Sequence, residues 1–193
     1  MKTKFIACGF SLVPMIFLLA TPLAQAEVTS VSETGFTMTF EQTVQAEPGD
    51  IYAAMTRIGE WWDPDHSWEG KPENLYMDMR IGGCFCEKLS NGGGVEHLHL
   101  VYFAPAKEIR LTGGLGPLQG MGMGGAMVWI IKPGDEGNTV TWTYTAHGHG
   151  SEESMKSLAP IVDQVQHQAF DRLVRFIKTG SPEELQVTGV QDR

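Results

Sequence analysis

Three pairs of metal-ligating residues recur at a spacing of two: Cys84/Cys86, His97/His99 and His147/His149. On a strand, that spacing puts both side chains of a pair on one face. Cys84/Cys86 and His97/His99 fall on the two arms of one hairpin, so strand register decides whether they meet. A three-residue loop, Asn91–Gly93, sets Cys86 opposite Leu98. The cysteines then share a face with Leu98 and Leu100, and the histidines with Phe85 and Glu87. A four-residue loop, Asn91–Gly94, sets Cys86 opposite His99, and all four ligands share a face as a Cys₂His₂ site needs. The alternative to metal is that the cysteines are small core residues and the histidines face solvent.

The same pair raises a redox question. Two residues of strand rise place the cysteine α-carbons roughly 6.6 Å apart, near the upper edge of disulfide geometry. Free thiols or a labile bridge are therefore expected, with no oxidoreductase role. Acid/base chemistry has candidates in Glu87, Glu96, His66, His99 and Tyr144. A catalytic base needs a dry cavity and a shifted pKa, whereas charged strand residues usually lie on the solvated face. Gly120–Gly125 is glycine-rich, but no Gly-Lys-Ser/Thr follows and the next element reads as a strand, so it is no nucleotide loop. No Gly-x-Ser-x-Gly elbow occurs. The pattern implies no cofactor.

The elements that must position these residues can be read from periodicity. Gly35–Val44 alternates, with Phe36, Met38 and Phe40 on one face, as a half-buried strand does. Pro48 and Asp50 suit the first turn of a helix over Ile51–Ile58, and a short aromatic segment, Glu60-Trp61-Trp62, follows Gly59. Strands are expected at Leu75–Ile81, Cys84–Leu89, Val95–Phe103, Ile109–Thr112, Ala126–Ile131 and Thr139–Ala146. A loop, Gly113–Gly125, precedes the last two, and a second, Pro133–Asn138, joins them. A long helix starts at Ser151 or at the turn before Pro160, and ends at Gly180. On it Ile161, Val162, Val165, Ala169, Phe170, Leu173, Val174, Phe176 and Ile177 form one apolar arc. Gln166 is the polar exception inside that arc.

This order is α+β: a curved antiparallel sheet of six to seven strands wrapped around a long C-terminal helix, with two short helices after the first strand. The space between sheet and helix is a natural ligand cavity. Its expected walls are Met77, Met79, Leu98, Leu100 and Trp129 on the strands, Gln166 and Phe170 on the helix, and Leu118, Met121 and Met123 on the glycine-rich loop. Methionines adapt to varied ligand shapes, and the glycines allow the loop to act as a gate. Trp61, Trp62 and Trp68 are placed at the rim. Gln166 is the polar group expected to orient a ligand, or else a core amide bonded to backbone.

The order and its residues resemble the helix-grip superfamily known as SRPBCC or START-like, in its polyketide-cyclase and chaperone-ATPase-activator-homologue branch. The matching segments are Ala46–Ala54 at the entry to the first helix, the Trp61-Trp62 pair, Gly82-Gly83-Cys84-Phe85-Cys86-Glu87, Leu115-Gly116-Pro117-Leu118-Gln119 and the final helix. The resemblance spans Gly35 to Gly180. It implies the helix-grip fold, and a cyclase- or hydratase-like activity as an alternative to simple binding.

Composition narrows the classes. Of 193 residues, 1–26 read as a secretory signal: Lys2 and Lys4, an apolar run Phe5–Ala20, then Ala24-Gln25-Ala26. A polar lead-in over 27–34, the domain at 35–180 and a polar tail over 181–193 complete the chain. Cleavage would remove two lysines and one of the three cysteines, taking the formal charge from −9 to −11. Such acidity argues against nucleic acid, and two cysteines make no disulfide framework. No apolar run long enough for membrane insertion remains after cleavage. The expectation is an exported, periplasmic protein that binds a small hydrophobic or amphipathic molecule. An envelope metal-binding protein using Cys84/Cys86 with His97/His99 is the second alternative.

Overall fold

The computed structural model describes residues 27–184. The segment read as a secretory signal, 1–26, and most of the expected tail lie outside the described residues. Eight strands form one antiparallel sheet: β1 (Glu27–Ser32), β2 (Gly35–Val44), β3 (Leu75–Met77), β4 (Cys84–Lys88), β5 (Gly94–Ala104), β6 (Glu108–Thr112), β7 (Gly124–Gly134) and β8 (Gly137–His147). Their order across the sheet is β1-β2-β8-β7-β6-β5-β4-β3. Two α-helices, α1 (Pro48–Thr56) and α2 (Glu152–Thr179), accompany them. Short 3-10 turns follow α1 at Ile58–Glu60, Pro64–His66 and Pro72–Asn74, and a further one lies at Gly116–Gln119. Among the described residues no helix is long and apolar enough to cross a membrane.

Alternation places Phe36, Met38 and Phe40 of β2 and Val140, Trp142 and Tyr144 of β8 on the buried face. The opposite face carries threonine pairs, Thr37–Thr145, Thr39–Thr143 and Thr43–Thr139, with hydroxyls 3.1, 3.2 and 3.3 Å apart. Such cross-strand pairs hold the register of the central strands.

α2 starts at Ser151, the earlier of its two expected starts. Ser151 and Ser154 cap each other reciprocally, with Ser151 Oγ accepting from Ser154 N at 3.2 Å. Pro160 lies inside the helix on its exposed side. Gly180 ends α2 at φ 77°, a left-handed conformation that favours glycine, and donates to the Phe176 carbonyl at 2.8 Å.

Three expectations change. The lead-in is an edge strand, β1, whose mixed Ser/Thr/Val sequence carries little apolar alternation. The strand expected over Leu75–Ile81 stops at Met77, because the chain folds back on itself: Arg80 N donates to Asp78 O and Gly83 N to Arg80 O, leaving Ile81 exposed. The loop expected over Pro133–Asn138 is a tight turn, since Gly134 already pairs with Gly137.

The interior between sheet and α2 is largely solid. Trp129 and Trp142 lie 4.8 Å apart, Trp61 is 6.1 Å from each, and Phe170 meets Trp142 edge-on at 6.2 Å. Four expected cavity walls, Leu98, Leu100, Trp129 and Phe170, and one expected rim residue, Trp61, are closed into this core. Periodicity identified their inward face, but the volume of three tryptophans fills the space they look into.

Candidate functional site

A cavity of about 300 Å³ remains at one end of the sheet–helix interface. Three structures enclose it. α2 contributes Leu158, Ile161, Val162, Val165 and Gln166, whose spacing makes one helical face. The segment from Trp62 through the 3-10 turn Pro64–His66 to Trp68 forms a second wall. The loop Leu115–Met121 forms the third, and His97 of β5 closes the floor. The exposed apolar side chains Trp68, Met121 and Ile161 ring the mouth, where isolated apolar exposure becomes a contiguous patch.

Of the residues expected at a ligand, Trp62, Trp68, Leu118, Met121 and Gln166 line this cavity. Met77 and Met79 pack half-buried against the core instead, and Met123 is buried beneath the loop, with its backbone N–H bonded to Leu118 O at 3.0 Å. That bond, with Leu118 N to Leu115 O at 3.2 Å, folds the glycine-rich loop into a bonded turn rather than an open gate. Gln119 also reaches back to the Glu96 carbonyl.

Gln166 is fully buried. Its Oε1 accepts from Trp142 Nε1–H at 3.0 Å, and its Nε2 has no hydrogen-bond partner. The amide thus ties its oxygen to the tryptophan core, while its nitrogen keeps two unbonded donor protons on a side chain that lines the cavity, whose other polar lining is Asp65, His66, Ser67 and His97. Burial pushes the Tyr144 phenol up to about 12.

Neither expected hairpin register occurs. The loop is three residues, but it is Ser90–Gly92, closed by Gly92 N to Leu89 O and Leu89 N to Gly93 O, both 3.0 Å. Gly92, at φ 85°, supplies the left-handed position such loops require. Lys88 then pairs with Gly94 and Cys86 with Glu96, but Phe85 pairs with Leu98 and Cys84 with His99. His97 is the extra residue of a β-bulge. Both His97 and Leu98 consequently point inward, which alternation forbids in a regular strand.

The bulge separates the metal candidates. Cys84, Cys86, Glu96 and His99 are grouped on the outer face, where His99 Nδ1 lies 3.4 Å from Glu96 Oε1, and His97 faces the cavity. The Cys₂His₂ set does not assemble. Cys84 and Cys86 form a disulfide across a Cα–Cα distance of 5.4 Å, shorter than two residues of regular strand rise because the ladder is broken between Phe85 and Cys86. A disulfide sulfur is no thiolate ligand.

Glu87, an expected proton mover of the acid/base set, is buried beside His97. Its carboxylate accepts from Trp68 N at 2.9 and 3.1 Å and from His97 Nε2 at 3.0 Å. The contact to Trp68 ties the cavity rim to β4. Burial holds the His97 imidazole below its ordinary pKa, although the Glu87 carboxylate pulls it upward. Two further ties secure the rim: Trp62 Nε1–H donates to His66 O at 3.1 Å, and the His66 ring meets Gln168 of α2 at 3.1 Å.

The sequence reading missed the cavity roles of His97, Asp65, Ser67 and the α2 face from Leu158 to Val165. Of that face, Ile161, Val162 and Val165 were visible in the apolar arc, and Leu158 was not. His97 depended on a bulge that no local pattern announces.

No protein-family model matches the chain, and no curated protein matches it. Solved structures do. A Staphylococcus aureus protein of unknown function superimposes with a TM-score of 0.56 at 13% identity, covering 77% of this chain and 96% of that one. A conserved protein of unknown function from Enterococcus faecalis gives 0.53 at 12% identity, covering 84% and 82%. An uncharacterised protein from Rhizobium leguminosarum gives 0.53 at 16% identity, covering 81% and 98%. At these identities the likeness is one of fold: an α+β helix-grip, with a curved antiparallel sheet folded against one long C-terminal helix.

Proposed function

We propose that this chain is an exported protein that binds a small hydrophobic or amphipathic molecule at the open end of its sheet–helix interface. The observation that carries the reading is the buried Gln166 amide, a lining residue of a mostly apolar cavity, whose Nε2 finds no hydrogen-bond partner. An unsatisfied buried donor costs roughly 1–3 kcal/mol, which a ligand oxygen would recover. The apolar body of the ligand adds about 25 cal/mol for each Å² of apolar surface removed from water, before association costs. The exposed Trp68, Met121 and Ile161 at the mouth support entry from solvent. Resemblance to the SRPBCC superfamily supports a ligand between sheet and helix, and the signal-like N-terminus supports export.

Native mass spectrometry of the chain purified from the periplasm of an expression host tests the reading, together with titration of 2-acetonaphthone. This ketone places an aromatic body against Trp62 and Trp68 and an oxygen within reach of an amide donor. Saturable quenching of tryptophan fluorescence is expected, weakened about tenfold in Gln166→Leu. A chain that carries no co-purified compound and responds to neither 2-acetonaphthone nor naphthalene is not a binding protein of this kind.

A further inference from the structure

Binding an apolar molecule does not require a buried carboxylate and imidazole, yet His97 stands at the floor of the cavity with Glu87 buried behind it. Glu87 is 1% exposed and His97 3%. The imidazole is held in one orientation from three sides. Phe85 lies 4.7 Å from its ring at 30°, Trp68 lies 6.2 Å away at 60°, and Glu87 Oε2 accepts a hydrogen bond from Nε2–H at 3.0 Å. A carboxylate on Nε2 selects the tautomer in which Nδ1 carries a lone pair. Among the described residues nothing hydrogen-bonds to Nδ1.

The surroundings favour a neutral ring. From β4 it faces Glu87, and from the Trp62–Trp68 segment the cavity receives Asp65 and His66. α2 presents apolar side chains and the uncharged Gln166, and the Leu115–Met121 loop presents no titratable group. Glu96 and His99, neighbours on β5, are paired with each other on the outer face.

We infer that His97, oriented by Glu87, is a general base that removes a proton from an activated carbon of the bound molecule, and that Gln166 donates to the oxygen on which charge develops. The substrate class is a small apolar carbonyl compound with an acidic α-hydrogen. The inference rests on the cavity being a ligand site. In the step, the Nδ1 lone pair takes the α-proton. The C–H electron pair forms the new C=C bond, and the carbonyl pair moves to oxygen, where Gln166 Nε2–H holds the enolate. The imidazolium is stabilised by the Glu87 carboxylate, and return of the proton to carbon restores the base. Glu87 acts through His97 and is a positioning residue.

The test uses 5-nitrobenzisoxazole, a compact aromatic probe of carbon-bound proton removal. Loss of its C3 proton turns the C–H pair into a nitrile as the N–O bond breaks, releasing a coloured phenolate. Saturable turnover is expected, with about a 100-fold fall in kcat for His97→Gln. The glutamine keeps an amide donor for Glu87, and quenching of tryptophan fluorescence by the probe reports whether binding survives. The wild-type rate should rise with pH through an inflection below 6.5, the ordinary histidine value. Glu87→Gln should move that inflection to still lower pH, because the carboxylate raises the His97 pKa. Bound probe without turnover, His97→Gln as active as wild type, or no histidine inflection in the wild-type profile overturns the inference and leaves the binding reading standing. Should neither this probe nor 2-acetonaphthone bind, both fall together.

Discussion

Beneath β7 and β8, Trp61, Trp129, Trp142 and Phe170 fill the space between sheet and α2, whereas at the other end of α2 the same space is left open as a cavity of about 300 Å³. The two ends share one sheet, one helix and one side chain. Gln166 bonds Trp142 with its oxygen, keeps an unbonded nitrogen, and lines the cavity. The difference lies in side-chain volume. At the filled end four large rings pack together, Trp129 and Trp142 tilted at 44°, Trp61 meeting both edge-on and Phe170 meeting Trp142 edge-on. At the open end the facing residues of α2 are Leu158, Ile161, Val162 and Val165, too short to reach the Leu115–Met121 loop and close the gap. The fold is secured at one end, so the other can remain hollow.

That contrast is broken most directly by truncation. Trp142→Ala removes a ring at the centre of the filled end and leaves Gln166 Oε1 without its donor. A loss of about 4 kcal/mol is expected, from the usual cost of deleting a buried aromatic side chain. Leu158→Ala at the cavity wall, where the side chain is half-buried and already faces empty space, should cost under about 1 kcal/mol. Urea unfolding of the two variants measures both. Equal losses would mean that the open end is packed as tightly as the filled one.

What the sequence made legible follows the same division. The Gly35–Val44 strand has the expected bounds and the long helix the expected end, because alternation and the apolar arc are local properties of the chain. Gln166 stood out for the same reason, as a polar residue in an apolar arc. Strand-facing candidates such as Leu100 and Trp129 had the right orientation and the wrong surroundings. Periodicity tells which side a residue faces, and says nothing of how much volume arrives from the other side. Trp61 and Trp62 show this within two residues: in the tight turns after α1 the first enters the solid core, where its Nε1–H reaches Ala54 O at 2.9 Å. The second reaches the cavity. His97 required the bulge, and the bulge required a loop beginning one residue earlier than Asn91.

Gln166→Leu sharpens the boundary between the two ends. The substitution removes an unsatisfied donor from the cavity but strips Trp142 Nε1–H of its acceptor. Because those effects oppose, the net stability change should be about 1 kcal/mol or less, far below that of Trp142→Ala. Equilibrium unfolding checks the stability, and the 2-acetonaphthone titration checks whether affinity falls although the fold is intact. A loss approaching that of Trp142→Ala would make the amide part of the solid core alone.

The Cys84–Cys86 disulfide lies on the outer face of the hairpin that carries His97. A bridge spanning so few residues constrains the unfolded chain little, and the chain-entropy relation gives about 1.5 kcal/mol for it. Reduction should lower the urea midpoint modestly. Proton removal from 5-nitrobenzisoxazole, which depends on the inner face, should be retained. Loss of that activity on reduction, with binding of the probe intact, would show that the bridge sets the position of the bulge.

The smallest expected effect concerns the buried pair itself. The His97 pKa lies below 6.5 in the folded chain, chiefly through burial, so the folded state binds its proton less readily than the unfolded state does. Stability from this group is therefore fully present above pH 6.5. It declines as pH falls from there toward the folded pKa, because the unfolded chain takes up the proton first. Acid also protonates carboxylates elsewhere, so the wild-type curve alone does not isolate the effect. The difference between wild type and His97→Gln does, since the glutamine cannot titrate and retains a donor to Glu87. Urea midpoints measured from pH 8 to pH 5 should fall more steeply in wild type, with the divergence beginning near the ordinary histidine value. Parallel curves would place His97 in a solvated site with an unshifted proton affinity. The floor of the cavity would then be no drier than the surface, and the separation between a filled end and a hollow, water-poor end would fail at the residue on which its chemistry depends.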